Sequence, residues 1–186
     1  MTKKVGIIIG SSRTGSNTAK VARAIKRELE NAGITDILVP DAKLYDIPFF
    51  NKGGVDFNQM TDYQNQVYNA MANSDIIFFL SPEYNWTMSA EILNLFHQFG
   101  STQFATMWEG KTIAFAGVSA GRGGRIPAID MSRVVSKLIG FFGFKTIVSP
   151  KIFESQLTPQ VLEDNGDSKK NEAFDKGLKD FVLYHL

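Results

Sequence analysis

Three short apolar runs constrain this chain more than anything else in it: V-G-I-I-I (5–9), D-I-I-F-F-L (75–80) and T-I-A-F-A-G-V (112–118). Each is of strand length, rich in β-branched or aromatic residues, and free of polar alternation. A strand with one wet face alternates apolar and polar residues. An uninterrupted run is the pattern of a strand covered on both faces, as in a parallel sheet sandwiched by helices. T-D-I-L-V-P (35–40) and F-K-T-I-V-S-P (144–150) read as a weaker fourth and fifth strand.

Helix-length segments separate these runs. Residues 18–32 place Val21, Ala22, Ile25 and Leu29 at helical spacing, with Gly33 as the expected C-terminal stop. Residues 62–73 place Tyr63, Val67, Ala70 and Met71 similarly. Further helices are expected over 89–107, which is apolar all round, over 128–140 and over 168–184. Strand–helix alternation of this kind predicts an α/β three-layer sandwich with right-handed crossovers. With 186 residues, and neither repeat nor linker, the expectation is a single domain over 1–186. Residues 41–60 form a long irregular stretch, which in a compact domain points to a site or an interface.

Composition removes several classes of chemistry. The chain contains no cysteine, which excludes disulfides, thiolate catalysis and zinc–thiolate or iron–sulfur ligation. Two histidines, His97 and His185, are too few for a histidine-rich metal centre, so no metal is expected. His97 reads as a packed helix residue and His185 as part of a frayed tail. A net charge of +1 gives no electrostatic case for nucleic acid or an anionic membrane. The short G-R-G-G-R string (121–125) does not alter that. The N-terminal apolar run stops at Gly10, too soon for a signal peptide, and no run approaches a membrane span. The expected location is the cytoplasm.

The chemistry lies where the strands stop. After the first strand comes G-S-S-R-T-G-S-N-T (10–18), crowded with hydroxyls, one amide and one arginine. In an open parallel sheet, ligands gather at the carboxyl ends of strands. A helix N-terminus there offers unpaired N–H groups and the positive end of a dipole. Ser11, Ser12, Ser16, Asn17 and Thr18 with Arg13 suit a phosphate monoester held mostly by neutral donors, although a well-capped helix alone would look much the same. The loop lacks the lysine of a P-loop, and Gly10 and Gly15 are too far apart for the dinucleotide fingerprint. The third strand ends in S-P-E-Y-N-W-T (81–87), a proline-fixed turn carrying planar side chains. The fourth ends in V-S-A-G-R-G-G-R (118–125), whose glycines let backbone approach a flat ligand. Three loops on one sheet edge, a phosphate cradle, an aromatic turn and a glycine-rich loop, describe a site for a planar phosphorylated cofactor.

G-S-S-R-T-G-S, S-P-E-Y-N and S-A-G-R-G-G-R, in this order and spacing from about residue 3 to 150, resemble the three loops of the NAD(P)H-dependent FMN reductases. These belong to the flavodoxin-like superfamily and include quinone, azo-dye and chromate reductases. The resemblance implies a five-stranded parallel sheet of order 2-1-3-4-5, FMN as cofactor, and NADPH or NADH as co-substrate. It implies that Ser11, Arg13, Ser16, Asn17 and Thr18 hold the FMN phosphate. Pro82, Glu83, Tyr84 and Asn85 would wrap the ring and ribityl chain, and Ser119, Gly121 and Gly124 would line the other edge. No protein residue is expected to be catalytic in its own right, because the flavin carries the hydride. The partner is a small-molecule electron acceptor, and a homodimer or homotetramer is expected. Arg122 and Arg125 are candidates for gripping nucleotide phosphates, and Trp86 for covering the flavin or a subunit contact.

One stretch departs from the family. After P-E-Y-N the chain reads W-T-M-S-A-E-I-L-N (86–94), without the usual glycine and with Glu91 where apolar or basic residues are common. That departure bears on the nicotinamide side and on substrate range. The alternatives are a flavodoxin-type electron carrier, which the near-neutral charge disfavours, or a flavin-binding protein without catalysis.

Overall fold

The computed structural model describes residues 3–186. Five strands form one parallel sheet: β1 Val5–Ile9, β2 Ile37–Leu38, β3 Ile76–Pro82, β4 Thr112–Val118 and β5 Ile147–Ser155. Their spatial order is β2-β1-β3-β4-β5, the flavodoxin-like arrangement. All strand pairs are parallel, from Val5 opposite Ile76 in the centre to Val118 opposite Ser155 at the far side.

The uninterrupted apolar runs divide between two cores with the two-residue period of a strand. Ile8, Ile77, Phe79, Ile113 and Phe115 face one side, where they meet helices α2 (Asp62–Ala72), α3 (Ala90–Phe99) and α4 (Arg125–Phe142). Val5, Ile7, Phe78, Leu80, Ala114 and Ala116 face the other, against α1 (Asn17–Asn31) and the C-terminal helix. Every residue of β3 is buried. A short turn of helix, α5 (Thr158–Val161), precedes that last helix, α6 (Glu172–Tyr184).

The helix ends follow the sequence signals. Ser16 opens α1 by accepting from the Ala19 amide. Gly33, at φ +86°, closes it: its amide bonds the Glu30 carbonyl and that of Ile34 bonds Leu29. Thr61 and Gln64 form a reciprocal capping box on α2.

Two expected elements differ. The single long helix over 89–107 is instead α3 followed by a 3-10 segment, Thr102–Trp108. The helix stops at Gly100, and buried Trp108 then ties the segment back by donating its indole N–H to the Phe99 carbonyl. The fifth strand does not stop at Pro150 but runs to Ser155. A register irregularity near Pro150 absorbs the missing N–H, as expected on an edge strand.

The irregular stretch 41–60 is held to α3 by two buried amides. Asn94 donates to the Tyr45 hydroxyl and the Pro48 carbonyl and accepts from the Phe50 amide. Gln98 donates to Pro48 and Gly53 and accepts from Val55. These side chains replace the backbone pairing that a segment without regular structure lacks.

Candidate functional site

β1 has β2 on one side and β3 on the other, so the chain leaves its carboxyl end in a crevice between two diverging crossovers. Buried serines fix the loops around it. Ser89, the N-cap of α3, donates its hydroxyl to the Gly10 carbonyl at 2.6 Å, and its amide donates to the Ser81 hydroxyl at 2.9 Å. The ends of β1 and β3 and the start of α3 are thereby locked together.

In that crevice lies a cavity of about 410 Å³. The first loop lines it with Ser11, Arg13, Ser16, Asn17 and Thr18, and the third with Pro82, Glu83 and Tyr84. Thr14, Gly15, Val118 and Ala120 complete the wall. These last four carry no strong chemical signal in the sequence; Gly15, at φ +68°, is legible only as the turn that brings the loop into the helix.

The chemistry of the cavity floor is that of an anion site. Ser11 and Thr18 are 3% and 1% exposed, and neither hydroxyl has a hydrogen-bond partner among the described residues. A buried hydroxyl without a partner costs about 1–3 kcal/mol, and two on one wall are free to donate to an acceptor in the cavity, whereas the buried hydroxyls of Ser74 and Ser101, also without partners, lie away from it. Ser16 accepts from Ala19, which leaves its own proton free to donate. The amides of Asn17 and Thr18 open α1 and have no preceding turn to bond. Arg13 lies 6.0 Å from the centre of the Tyr84 ring, bridging the first loop to the third. A phosphate monoester fits this donor set: hydroxyls and amides for its oxygens, one guanidinium for its charge.

Of the other expected residues, Asn85, Ser119, Gly121 and Gly124 do not line this cavity, and each has a structural role in the loops beside it. Asn85 and Trp86, at φ +46° and +60°, form the tip of a two-residue hairpin closed by reciprocal Tyr84–Thr87 backbone bonds. Trp86 is 78% exposed. Ser119 accepts from the Gly121 amide and fixes the curl of the glycine-rich loop after β4. Gly124, at φ +108°, lies against Gly117, where a side chain would come within 2.7 Å of the Gly117 carbonyl oxygen. Glu83 lines the cavity and is also tied to the glycine-rich loop: its carboxylate accepts from the Gly124 amide at 2.6 Å. The aromatic turn and the glycine-rich loop are therefore one braced unit.

Arg125 pairs with Glu154 at 3.1 Å, a local salt bridge. Arg122 is exposed. Glu91, the residue that departs from the family pattern, faces the first loop, with its carboxylate 3.4 Å from the Ser12 hydroxyl. The Tyr45 hydroxyl donates to the Glu91 carbonyl. Burial, and secondarily the nearby carboxylate, holds the Tyr45 phenol above its usual range. No cluster of metal-binding side chains is found among the described residues.

The profile of the NADPH-dependent FMN reductase family matches residues 3–151, which takes in β1 to β4, the first half of β5 and all three loops. The chain belongs to this family. It is an FMN-dependent NAD(P)H oxidoreductase, and that membership favours the reductase over the electron carrier. A quinone reductase of Pseudomonas putida is 25% identical over 178 residues, covering 96% of this chain and 90% of its own. Among solved structures, a flavoenzyme NAD(P)H:(acceptor) oxidoreductase from Paracoccus denitrificans superposes with a TM-score of 0.69 at 17% identity, covering 99% of each chain. An azoreductase from Bacillus anthracis gives 0.59 at 17% identity, covering 100% of this chain and 99% of its own. At such identity the structural likeness speaks for the fold, while the family match speaks for the flavin chemistry.

Proposed function

We propose that the reductase acts on quinone-type or similar planar acceptors, with FMN held in the crevice at the end of β1. Its phosphate sits on Ser11, Ser16, Asn17, Thr18 and Arg13. The observation that carries this placement is the pair of buried, partnerless hydroxyls, Ser11 and Thr18, on one wall of the cavity. Pro82, Glu83, Tyr84 and Asn85 form the wall beside the ring, and Ser119, Gly121 and Gly124 the opposite loop.

Bound flavin supplies the two-electron chemistry by which hydride passes from NAD(P)H to the acceptor. The chain's own residues bind, orient and shield. The α1 amides and the hydroxyls hold the phosphate oxygens by hydrogen bonds, and Arg13 supplies the positive charge. The Glu83–Gly124 brace sets the width between the aromatic turn and the glycine-rich loop. No side chain in the cavity is placed to act as a nucleophile or as a dominant acid or base.

The second copy of the chain is expected on the face of α3 and α4. Phe49, Phe50 and Phe141 are 70%, 56% and 78% exposed, and with Leu93, His97 and Leu138 they line two adjoining apolar grooves that share His97. Exposed aromatic side chains gathered on one face support a homodimer or a dimer of dimers. Among the described residues no helix is long and apolar enough to cross a membrane. A working place in the cytoplasm, where reduced nicotinamide nucleotides are made, fits this chemistry, and one sheet with a core on each face supports residues 1–186 acting as a single flavin-binding domain.

The test is the visible spectrum of protein loaded with FMN and freed of excess. A retained flavin band that bleaches anaerobically on adding NADPH or NADH, and returns on adding a quinone, is the expected result. Flavin that binds but does not bleach contradicts the proposal and favours a carrier.

A further inference from the structure

A second cavity, of about 710 Å³, lies on the other side of the phosphate loop and shares Ser11, Arg13, Gly15 and Ser16 with the first. It exists because β2 is only two residues long. β1 has β2 as a neighbour only at Val5 and Gly6; beyond Leu38 the chain leaves the sheet, and Ile9 is left at an open edge. The slot so formed has apolar walls, Ile9, Ala19 and Ala22 on one side and Val39, Pro40 and Ala42 on the other.

Its rim is charged. Arg23 and Lys26 enter from α1 and Lys43 from the opposite wall. Lys26 is paired with Glu30, and Arg23 donates to the Asp164 carbonyl. Lys43 has no side-chain partner among the described residues, and neither does one oxygen of Asp41, whose other oxygen accepts from the Lys43 amide. A slot with apolar walls takes a flat ring. An unpaired carboxylate oxygen can accept from an exocyclic amine, the cations on the two walls can hold phosphate, and the second lining carboxylate, Asp164, is already paired with Lys20.

We propose that this second cavity is an adenylate subsite, joined to the FMN phosphate site through the shared first loop. It rests on the flavin reading of the first cavity only for the identity of its neighbour. The adenylate can come from either of two dinucleotides: the nicotinamide co-substrate reaching across the loop, or a flavin bound as FAD with its second half in the slot. In either case Lys43, Arg23 and Lys26 supply the positive charge, and the walls of α1 and residues 39–42 sandwich the base.

The probe is 5′-AMP, titrated calorimetrically into the protein with and without FMN, in the parent chain, in Ala19→Leu and in Lys43→Gln. Ala19 is half-buried on the slot wall and outside the FMN contacts, so leucine fills the slot without entering a packed core. The expected result is millimolar or tighter binding of 5′-AMP that falls roughly 10-fold or more in each variant, while FMN affinity moves by less than about 2-fold. Competition between 5′-AMP and NAD(P)H, with KM raised and kcat unchanged in Ala19→Leu, assigns the subsite to the co-substrate. Tighter binding of FAD than of FMN, lost in Ala19→Leu, assigns it to the flavin. Absence of 5′-AMP binding in the parent chain, or equal binding in Ala19→Leu, overturns the inference. FMN titration of the same samples reads the first cavity separately, so a chain that binds 5′-AMP but no FMN contradicts the flavin reading and not this one.

Discussion

The carboxylate of Glu83 accepts a 2.6 Å hydrogen bond from the amide of Gly124, joining the turn after β3 to the loop after β4. The same carboxylate fills the space beside Gly123, where a side chain would come within 2.1 Å of it. The acidic residue of the P-E-Y-N turn is therefore a brace. Its charge is met by the Gly124 amide while the residue still lines the cavity.

Replacing Glu83 with glutamine keeps the shape and removes the charge from this bond. Charge-assisted hydrogen bonds are roughly twice as strong as neutral ones, so FMN affinity should fall about 10-fold with the fold intact. Gly124→Val should abolish FMN retention, because the left-handed backbone and the Gly117 carbonyl leave no room for a branched side chain. FMN titration with circular dichroism as a folding control checks both.

Thr18→Val separates the two roles of a buried hydroxyl. Without ligand the Thr18 hydroxyl is unpartnered, so its removal should raise the stability of flavin-free protein by about 1 kcal/mol. With FMN bound the same substitution removes a donor and should weaken binding roughly 10-fold. Urea unfolding of the flavin-free protein beside an FMN titration measures both signs. A loss of stability in the flavin-free state would show the hydroxyl to be structural.

Trp86 occupies the second position of a two-residue hairpin loop, at φ +60°, where glycine is the favoured residue. A bulky side chain there costs about 1–3 kcal/mol. Trp86→Gly should raise the melting temperature by about 2–4 °C and leave FMN affinity unchanged, since the indole points into solvent. Thermal unfolding decides it.

Phe141→Glu places a charge on the exposed apolar face of α4. The expected outcome is a shift to monomer at micromolar concentration in analytical ultracentrifugation, with the fold retained. A parent chain that is already monomeric contradicts the oligomer.

His185 supplies a pH dependence. Its ring is buried against Phe78 and Phe181, with Nδ1 2.7 Å from the Phe181 carbonyl and Nε2 2.7 Å from the Ser149 hydroxyl. Burial holds its pKa below the usual imidazole value, opposed in part by the Phe181 carbonyl. The unfolded chain therefore binds the proton more readily, and stability is full above about pH 6.5 and declines as pH falls below it. Urea midpoints measured from pH 7.5 down to pH 5 should fall in the parent chain and fall less in His185→Gln.

The sheet was legible because burial on both faces writes itself as uninterrupted apolar runs, and β1 and β4 match their runs residue for residue. The helix expected over 89–107 is too long because Phe104, Ala105 and Met107 resume the apolar pattern beyond the Gly100 break. Periodicity does not distinguish a buried 3-10 segment such as Thr102–Trp108 from further α-helix. His185 looks like tail in linear order, and only the packing of α6 on β5 shows that it is core. His97 shows the reverse: it reads as a packed helix residue and is exposed beside Phe50. In the site, donors and their order were visible in G-S-S-R-T-G-S-N-T. What Glu83 does was not, because its partner Gly124 lies on another strand's loop. The second cavity was equally hidden, since it arises from how short β2 is.

Whether the loop after β1 holds a phosphate is measured most directly by comparing FMN with riboflavin, which differ by that group alone. Titrated into flavin-free protein and followed by quenching of flavin fluorescence, FMN should bind at least about 100-fold more tightly than riboflavin. Equal affinity for the two would show that the Ser11–Thr18 cradle contributes nothing to flavin binding and would contradict the assignment of the site.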